Sequence, residues 1–532
     1  MLTIRPVWIP SGLRTTPSPT STTYLNPRAS PMKSSTMSSP SRLNSLPMKL
    51  FLPFLFAPLV ASLAAAERPN ILLITSEDNG PELSCYGEPY VTTPNLDKMA
   101  KDGVRFDRAF VTQAGCSQSR SSILTGLYPH QNGQIGLATW DFRMYQEDTP
   151  NVVRCLKQAG YRTGIIGKLH INPASAFPFD FKEIPTANFD RKKLGRYAKL
   201  GDEFMNASED PFFLMVNYPD AHRPFIPQVD NLPKTPLTGA DVKPLAYMGV
   251  DHPELRRQTA DHYNCMNRLD SLIGDLLKKL KASGKSDNTL VLYLGDHGAD
   301  LLRGKRTCLE SGLCIPLIAS WPGRARAGQV RQELVSTIDL FPTILEASGV
   351  DAPGNLKGRS LLPLLNGENP DWRTYVFAEW HLHGLFNFFP QRSVRGQRYK
   401  LIHNLAPGLG NPELDFVMGR HFPELGMSVF ESNPIIAAGY RSMKQAPEFE
   451  LYDLKSDPYE FTNLSSDKDH QAILDRLKKQ LFAWQEESND PLRHPDVLQQ
   501  YIDEITTAIG DGNPKKKADW KWRYPDYFFQ SQ

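Results

Sequence analysis

Two short apolar runs in this sequence end in acids. Asn70-Ile71-Leu72-Leu73-Ile74-Thr75 leads to Glu77-Asp78, and Leu290-Val291-Leu292-Tyr293-Leu294 leads to Gly295-Asp296-His297-Gly298. Three carboxylates and one imidazole form a donor set for a divalent cation. Oxygen ligands suit Ca²⁺, and a histidine among them also admits Mg²⁺, Mn²⁺ or Zn²⁺. Either pair alone reads better as surface loop acids; it is the two strand ends together that argue for metal. A second candidate is Cys116, in Cys116-Ser117-Gln118-Ser119-Arg120, ahead of a helix closed by Gly126. A cysteine at a helix N-terminus beside an arginine has a lowered pKa and can act as a nucleophile. The same position binds tetrahedral oxyanions through free backbone N–H groups. The alternative is a buried structural thiol.

These residues need elements that bring them together. Asn70 to Thr75, Arg162 to Ile166, Phe212 to Val216 and Leu290 to Leu294 read as buried strands. Thr93-Pro94 opens a helix that Gly103 ends, Thr149-Pro150 opens another before Gly160, and a long amphipathic helix is predicted from about Pro253 to Leu280. Alternating strands and helices predict an α/β fold, a large mixed and mostly parallel sheet flanked by helices. Ligands of such sheets sit beyond the carboxyl ends of the strands, so both acidic strand ends are expected to face one crevice.

The ends of the chain read differently. Residues 1–47 hold 10 Ser, 7 Thr and 8 Pro, five basic residues and no acid, a composition for a disordered leader or a misassigned start ahead of Met48. Residues 48–66 read as a secretory signal peptide: Lys49, an apolar run to Leu63, and small residues to Ala66. The run is too short for a stable membrane span. Without residues 1–66 the chain keeps 54 Lys+Arg against 58 Asp+Glu, so it is expected to be periplasmic or secreted and mildly acidic. That balance speaks against nucleic acid as a partner, even with Lys515-Lys516-Lys517 near Trp520 and Trp522, which is read as a tail packed on the surface. Residues 67–372 are expected to form the catalytic domain and 373–532 a smaller C-terminal α+β domain with a tail. Its strands are placed at Tyr375 to Ala378, Tyr399 to His403 and Phe449 to Tyr452, and its helix at about Gln471 to Glu487. Cys308 and Cys314 are close enough for a disulfide, and free thiols are as good a reading.

Cys116-x-x-Ser119-Arg120 followed by Leu124-Thr125-Gly126 resembles the signature of the sulfatase family: Cys or Ser, x, Pro, x, Arg, then Leu-Thr-Gly. Other blocks follow in that family's order. They are Asn70 to Asp78, Gly167-Lys168-Leu169-His170, Asp220-Ala221-His222, Gly295-Asp296-His297-Gly298, Lys305 ahead of Glu310-Ser311-Gly312, Asp339 to Thr343, and Glu450 to Leu454. The resemblance spans nearly all of residues 68–490. Within the family it is strongest to the heparan N-sulfatases, carried by His130-Gln131-Asn132-Gly133, Arg162 to Lys168, Pro178 to Phe181, Arg392-Ser393-Val394 and Leu401 to Leu405. Two positions depart from the pattern. Glu77 stands for the usual Asp, and Gln118 stands for the Pro that helps the maturation enzyme recognise the site.

The resemblance implies an alkaline-phosphatase-like fold and a formylglycine derived from Cys116 by a formylglycine-generating or anaerobic sulfatase-maturing enzyme. It implies Ca²⁺, with Mg²⁺ as the alternative, held by Glu77, Asp78, Asp296, His297 and residue 116. The hydrated aldehyde would attack sulfur, with Arg120 orienting it and Lys168 and Lys305 on the sulfate oxygens. His222 or Lys305 would protonate the leaving group and His170 would take the second hydroxyl's proton. Taken alone, Lys168 and His170 would read as surface residues; the block order reverses that. His383 and Arg392 are assigned to sugar contact. The expected substrate is a sulfated glycan, with the N-sulfate of glucosamine preferred. The alternatives are a glycan O-sulfatase, a phosphoester hydrolase of the same superfamily, and a non-catalytic sulfated-glycan-binding protein.

Overall fold

The computed structural model describes residues 68–186, 191–354, 356–510 and 520–531. The leader, the signal peptide and Lys515–Lys517 lie outside the described residues. Nine strands make the main sheet: β1 Asn70–Ser76, β2 Val104–Phe110, β3 Arg162–Ile166, β4 Phe181–Glu183, β5 Phe212–Asn217, β6 Thr289–Gly295, β7 Cys314–Ser320, β8 Gln329–Arg331 and β9 Val335–Ser336. Their order is β4-β3-β5-β1-β6-β7-β2-β8, with β9 beside β2. Pairing is parallel throughout except at β7, which runs antiparallel to both β6 and β2. The central strands β1, β5 and β6 are buried at every residue, so they read as continuous apolar runs rather than alternating ones.

Both faces of this sheet are covered. The helix Pro253–Ala282 buries Leu269, Leu272, Ile273 and Leu276 on one face, in a cluster with Leu72, Ile74 and Val216. The other face carries Ile71, Leu73 and Leu292 against Val152, Val153 and Leu156, with Phe341, Ile344 and Leu345. The helix expected from Thr149-Pro150 begins later, at Val152, because Asn151 is its cap: the Asn151 side chain accepts from the Arg154 N–H. β2 and β7 went unread in the sequence. The run Val-Arg-Phe-Asp-Arg-Ala-Phe of β2 carries three charges, and its Arg105 and Asp107 pair with each other at 2.7 Å on the half-buried face.

A second, antiparallel sheet follows in the order β10 Val376–Trp380, β11 Gln391–Arg395, β12 Tyr399–Asn404 and β13 Phe449–Asp453. The helix Gln471–Glu487 lies against it through Leu474, Leu477, Leu481 and Trp484. Three further helices, Glu413–His421, Pro434–Lys444 and Pro495–Gly510, occupy stretches that read as irregular in the sequence. The tail is no surface appendage. Trp522, Tyr524 and Phe528 are buried, and Trp522 stacks on Phe142 at 4.4 Å. All six cysteines, Cys308 and Cys314 among them, are free. No described helix is long and apolar enough to cross a membrane.

Candidate active site

The strands β3, β5, β1 and β6 are neighbours and run parallel, so their carboxyl ends share one edge. Each end delivers polar residues to that edge: Lys168 and His170 after β3, Asn217 and His222 at and after β5, Glu77 and Asp78 after β1, Asp296 and His297 after β6. Backbone bonds continue the ladder past the strand ends. Glu77 N–H donates to the Asp220 carbonyl at 2.9 Å, and Asp296 N–H donates to the Ser76 carbonyl at 2.9 Å. Gly167 is needed where the chain leaves β3. Its φ is +97°, and a Cβ there would stand 2.2 Å from the Asn217 carbonyl oxygen. Asp78 and His170 hold positive φ of 52° and 60°, in the left-handed region where an ordinary side chain costs energy; such backbone clusters at functional sites.

Cys116 comes from the other side. It is the first residue of the helix Cys116–Thr125, reached from the end of β2, and all ten residues of that helix are buried. Small polar residues make this burial possible because their hydroxyls bond within the fold: Ser121 to the Gln118 carbonyl, Thr125 to the Ser121 carbonyl, Thr112 to Ser122. No side chain caps the N-terminus, so the first N–H groups stay available at the site edge. The Cys116 sulfur lies 3.4 Å from His297 Nε2 and 3.4 Å from Lys305 Nζ. His297 donates from Nδ1 to the Gly298 carbonyl at 3.0 Å, which leaves Nε2 as the inward-facing nitrogen.

Charge in this pocket is dense and buried. Lys305 donates to both oxygens of Asp78 at 2.9 Å, and Lys168 to Glu77 at 2.7 Å. Arg120 donates to Asp296 at 3.0 and 3.2 Å, to Asn217 Oδ1 at 2.7 Å and to the Lys168 carbonyl at 3.1 Å. Burial opposes ionisation of Cys116, but Lys168, Lys305 and His297 outweigh it and hold the thiol well below its ordinary value. In the same way Lys168 and Arg120 overcome burial and hold Glu77 down to about 2. Burial works against the His297 imidazolium, yet the Asp296 carboxylate lifts it to about 9. Burial, with Lys168 adding to it, pushes His170 down, so its ring is neutral and able to accept a proton at neutral pH.

A metal fits this donor set. Ligand atoms of Asp78, Cys116, Asp296 and His297 all lie within 4.8 Å of one another, and so do those of Glu77, Asp78, Cys116 and His222. Carboxylate oxygens with one imidazole nitrogen suit a hard divalent cation. The pocket also keeps polar atoms in reserve: Asn217 Nδ2 and both ring nitrogens of His170 make no hydrogen bond of normal geometry among the described residues.

The structure brings Glu77, Asp78, Cys116, Arg120, Lys168, His170, His222, Asp296, His297 and Lys305 to one edge. His383 lines a cleft of about 530 Å³ beside Lys305 and His222. Arg392 does not join them. It is fully buried, and its guanidinium forks onto Asp490 at 2.6 and 2.8 Å beneath the second sheet. The sugar contact expected of it is therefore not met by this geometry. Its sequence neighbours alternate across a strand, and a basic residue on a strand's inner face gives no sign of its partner 98 positions later. Residues that sequence reasoning passed over also shape the site. Asn217 holds Arg120 and sits at the end of β5, where the strand-end rule would have found it. Arg223, Asp300, Arg306, Trp140, Phe386 and Arg420 line the cleft and carry no motif.

The Sulfatase family model matches residues 69–350, and the model described as N-sulphoglucosamine sulphohydrolase, C-terminal, matches residues 295–407. The chain is similar to N-sulphoglucosamine sulphohydrolase of Homo sapiens, 33% identical over 81% of this chain and 93% of that protein. It is similar to an ulvan-active sulfatase of Formosa agariphila, 30% identical over 86% of this chain and 87% of that one. Among solved structures it resembles a 2-O GAG sulfatase with a TM-score of 0.63, at 23% identity, covering 80% of this chain and 94% of that one.

Proposed function

The chain belongs to the sulfatase family of sulfuric ester hydrolases, and from that premise we propose that the bond it cleaves is the related sulfamate S–N bond, releasing the N-sulfate of glucosamine from a sulfated glycan. One observation carries the reading: a buried thiol at an uncapped helix N-terminus sits 3.4 Å from both a lysine ammonium and a histidine nitrogen. The similarity to the human sulphohydrolase, at 33% identity over nearly its full length, supports the N-sulfate.

In this reading the formylglycine form of residue 116 supplies the nucleophile. Glu77, Asp78, Asp296 and His297 hold a divalent cation, Ca²⁺ or Mg²⁺, which when bound polarises a sulfate oxygen and acidifies the attacking hydroxyl. This chain's own residues do the rest. Arg120, fixed by Asp296 and Asn217, orients residue 116 through the shared carboxylate edge. Lys168 and Lys305 reach the sulfate oxygens and balance the charge that grows on them. His222 stands at the cleft side of the site, where the leaving nitrogen must exit, and donates its proton there. His170 enters from the end of the neighbouring strand β3 with a neutral ring and accepts the proton that lets sulfate depart. His383 reads as a sugar contact.

Residues 67–372 act as the catalytic domain and 373–532 close one side of the cleft. The protein works outside the cytoplasm, after removal of residues 48–66, and depends on a maturation enzyme for residue 116. The test has two parts. Mass spectrometry of the tryptic peptide Ala109–Arg120, from protein made in its native host, should show the aldehyde at 116. Sulfate release should be faster from N-sulfoglucosamine than from O-sulfated sugars or phosphate esters. An unmodified thiol throughout would sink the aldehyde chemistry. A preference for O-sulfate would move the substrate to another glycan, as the Formosa relative at 30% identity favours.

A further inference from the structure

The cleft beside Lys305 and His222 is far larger than one sulfate group requires, at about 530 Å³. Its charges do not balance. The acid on its wall, Asp300, accepts from Arg306 at 2.6 Å and has His421 Nε2 at 3.6 Å. Arg306 also holds Glu413 behind the wall at 2.8 Å, so both acids are taken by one guanidinium. Lys305 is taken by Asp78. Two guanidiniums are left over. Arg223 donates from Nε to the Asp300 carbonyl and from Nη2 to Gln258, both neutral acceptors, and its Nη1 has no partner among the described residues. Arg420, at the exposed end of the helix Glu413–His421, stacks over Phe416 at 5.6 Å and pairs with no carboxylate among the described residues.

Arg223 is expensive to leave so. Burial pushes its guanidinium down, and although Asp300 counters this, Arg306 adds to it. A half-buried cation that meets only neutral hydrogen-bond acceptors and the Phe225 ring, at 4.2 Å, has room for an anion. The opposite wall is apolar: Phe386 is 57% exposed and meets Trp140 edge-to-face at 6.1 Å. A large exposed aromatic beside a polar pocket marks a contact surface rather than a packing residue.

We propose that this cleft is a subsite for a second anionic group of the glycan, with Arg223 and Arg420 as its cationic wall and Phe386 and Trp140 as the face on which a sugar ring lies. It rests on the sulfated-glycan reading above. The group is a delocalised oxyanion matched to the guanidinium fork: a second sulfate on the same sugar, or the carboxylate of a neighbouring uronate. The enzyme then selects sugars by a charge it does not remove.

Binding to the full chain carrying Cys116→Ala, which has no group to mature and does not turn over, tests this by calorimetry. The probes are N-sulfoglucosamine, its 6-O-sulfated form, and a disaccharide joining N-sulfoglucosamine to a uronate. At least one two-anion sugar should bind about tenfold tighter than N-sulfoglucosamine, as a charge-assisted contact allows. Whichever gains names the anion. Arg420→Gln and Arg223→Gln, added to the same chain, should remove that gain. Arg441→Gln, an exposed arginine paired with Glu431 at 3.3 Å, should keep it. Arg420 is exposed, so its variant reports even where the half-buried Arg223 variant does not fold. Equal affinity for all three sugars, no binding of the two-anion sugars, or a gain that survives both substitutions overturns the proposal. Sulfate release by the wild-type enzyme is followed in parallel. A two-anion preference without hydrolysis would overturn the N-sulfate reading and leave the subsite standing; hydrolysis without the preference would do the reverse.

Discussion

Lys305 donates to both carboxylate oxygens of Asp78 at 2.9 Å while standing 3.4 Å from the sulfur of Cys116. One ammonium, 227 positions from the acid in sequence, therefore joins strand-end Asp78 to the helix of Cys116. Burial opposes its charge, but Asp78 and Cys116 raise its pKa, so it stays cationic through the neutral range.

Lys305→Ala should lower kcat/KM for sulfate release by about 10²–10³-fold, the usual cost of losing one preorganised donor at a reacting oxyanion. It also takes the nearest cation from buried Asp78, leaving His297 at 3.4 Å and His222 at 3.9 Å. Metal-free protein should lose about 3–5 kcal/mol of stability by urea unfolding. A variant with wild-type kinetics would remove Lys305 from the reaction.

A divalent cation should replace that lost pairing. Ca²⁺ at a hundred times its Kd should stabilise the wild-type chain by about 2.7 kcal/mol, read as a rise in Tm. Asp296→Asn, which removes one charge from the donor set, should blunt the rise. A Tm indifferent to Ca²⁺ and Mg²⁺ would mean that these carboxylates serve their lysines alone.

The parts of this protein legible in its sequence share one property: they are short and repeat a local rule. β3 was read to the residue, from Arg162 to Ile166, and β1, β5 and β6 within about a residue at either end, because buried parallel strands are unbroken apolar runs. Their ends put Asp78 and Asp296 at one edge, whereas Lys168 is legible only from the order of the family's blocks. What stayed hidden depends on distant partners. β2 carries charge because Arg105 and Asp107 answer each other on its half-buried face. Trp522 reads as tail until Phe142 is beside it, 380 residues away in sequence. The cleft is built from loops whose residues recur in no motif, so no spacing could announce Arg223 and Arg420 as its wall.

Arg392 should matter for stability and not for substrate. Arg392→Gln strands Asp490, which burial would raise but Arg392 holds well below the usual carboxylate range. The expected loss is about 3–5 kcal/mol by denaturant unfolding. KM of the folded variant should stay within about twofold of wild type. A tenfold rise in KM would restore the sugar contact that the buried geometry denies.

Glu413 makes stability fall with pH. Burial pushes its carboxyl up to about 7 despite Arg306, against an ordinary value of 4.5. The folded protein therefore keeps a proton that the unfolded chain has already lost. Its contribution is fully present below about pH 4.5 and is lost as pH rises through 7, a change of about 3 kcal/mol. Unfolding free energies measured from pH 4.5 to 7.5 should show this fall, and Glu413→Gln should flatten it.

Gln118 does work that proline cannot. Its side chain is fully buried, and its amide donates to the Leu382 carbonyl at 2.8 Å, one residue before His383. Position 118 lies in the first turn of its helix, where proline is tolerated. Gln118→Pro should thus fold, lose about 1–3 kcal/mol from the stranded carbonyl, and raise KM as the His383 loop loosens. The same variant should carry more aldehyde at residue 116 by mass spectrometry. An unchanged KM would mean that the loop is held without it.

The helix that begins at Cys116 has no exposed residue, and Cys116 itself is 1% exposed. A visiting enzyme must grip several residues on either side of its target, and the finished fold offers none of them. On the proposed reading, conversion of this residue by another enzyme would therefore belong to the interval between synthesis and closure of the sheet. A molecule that closes early keeps its thiol for life. Under the proposed aldehyde chemistry, the active fraction of a preparation would be set by a race run once per molecule, and no later incubation would improve it.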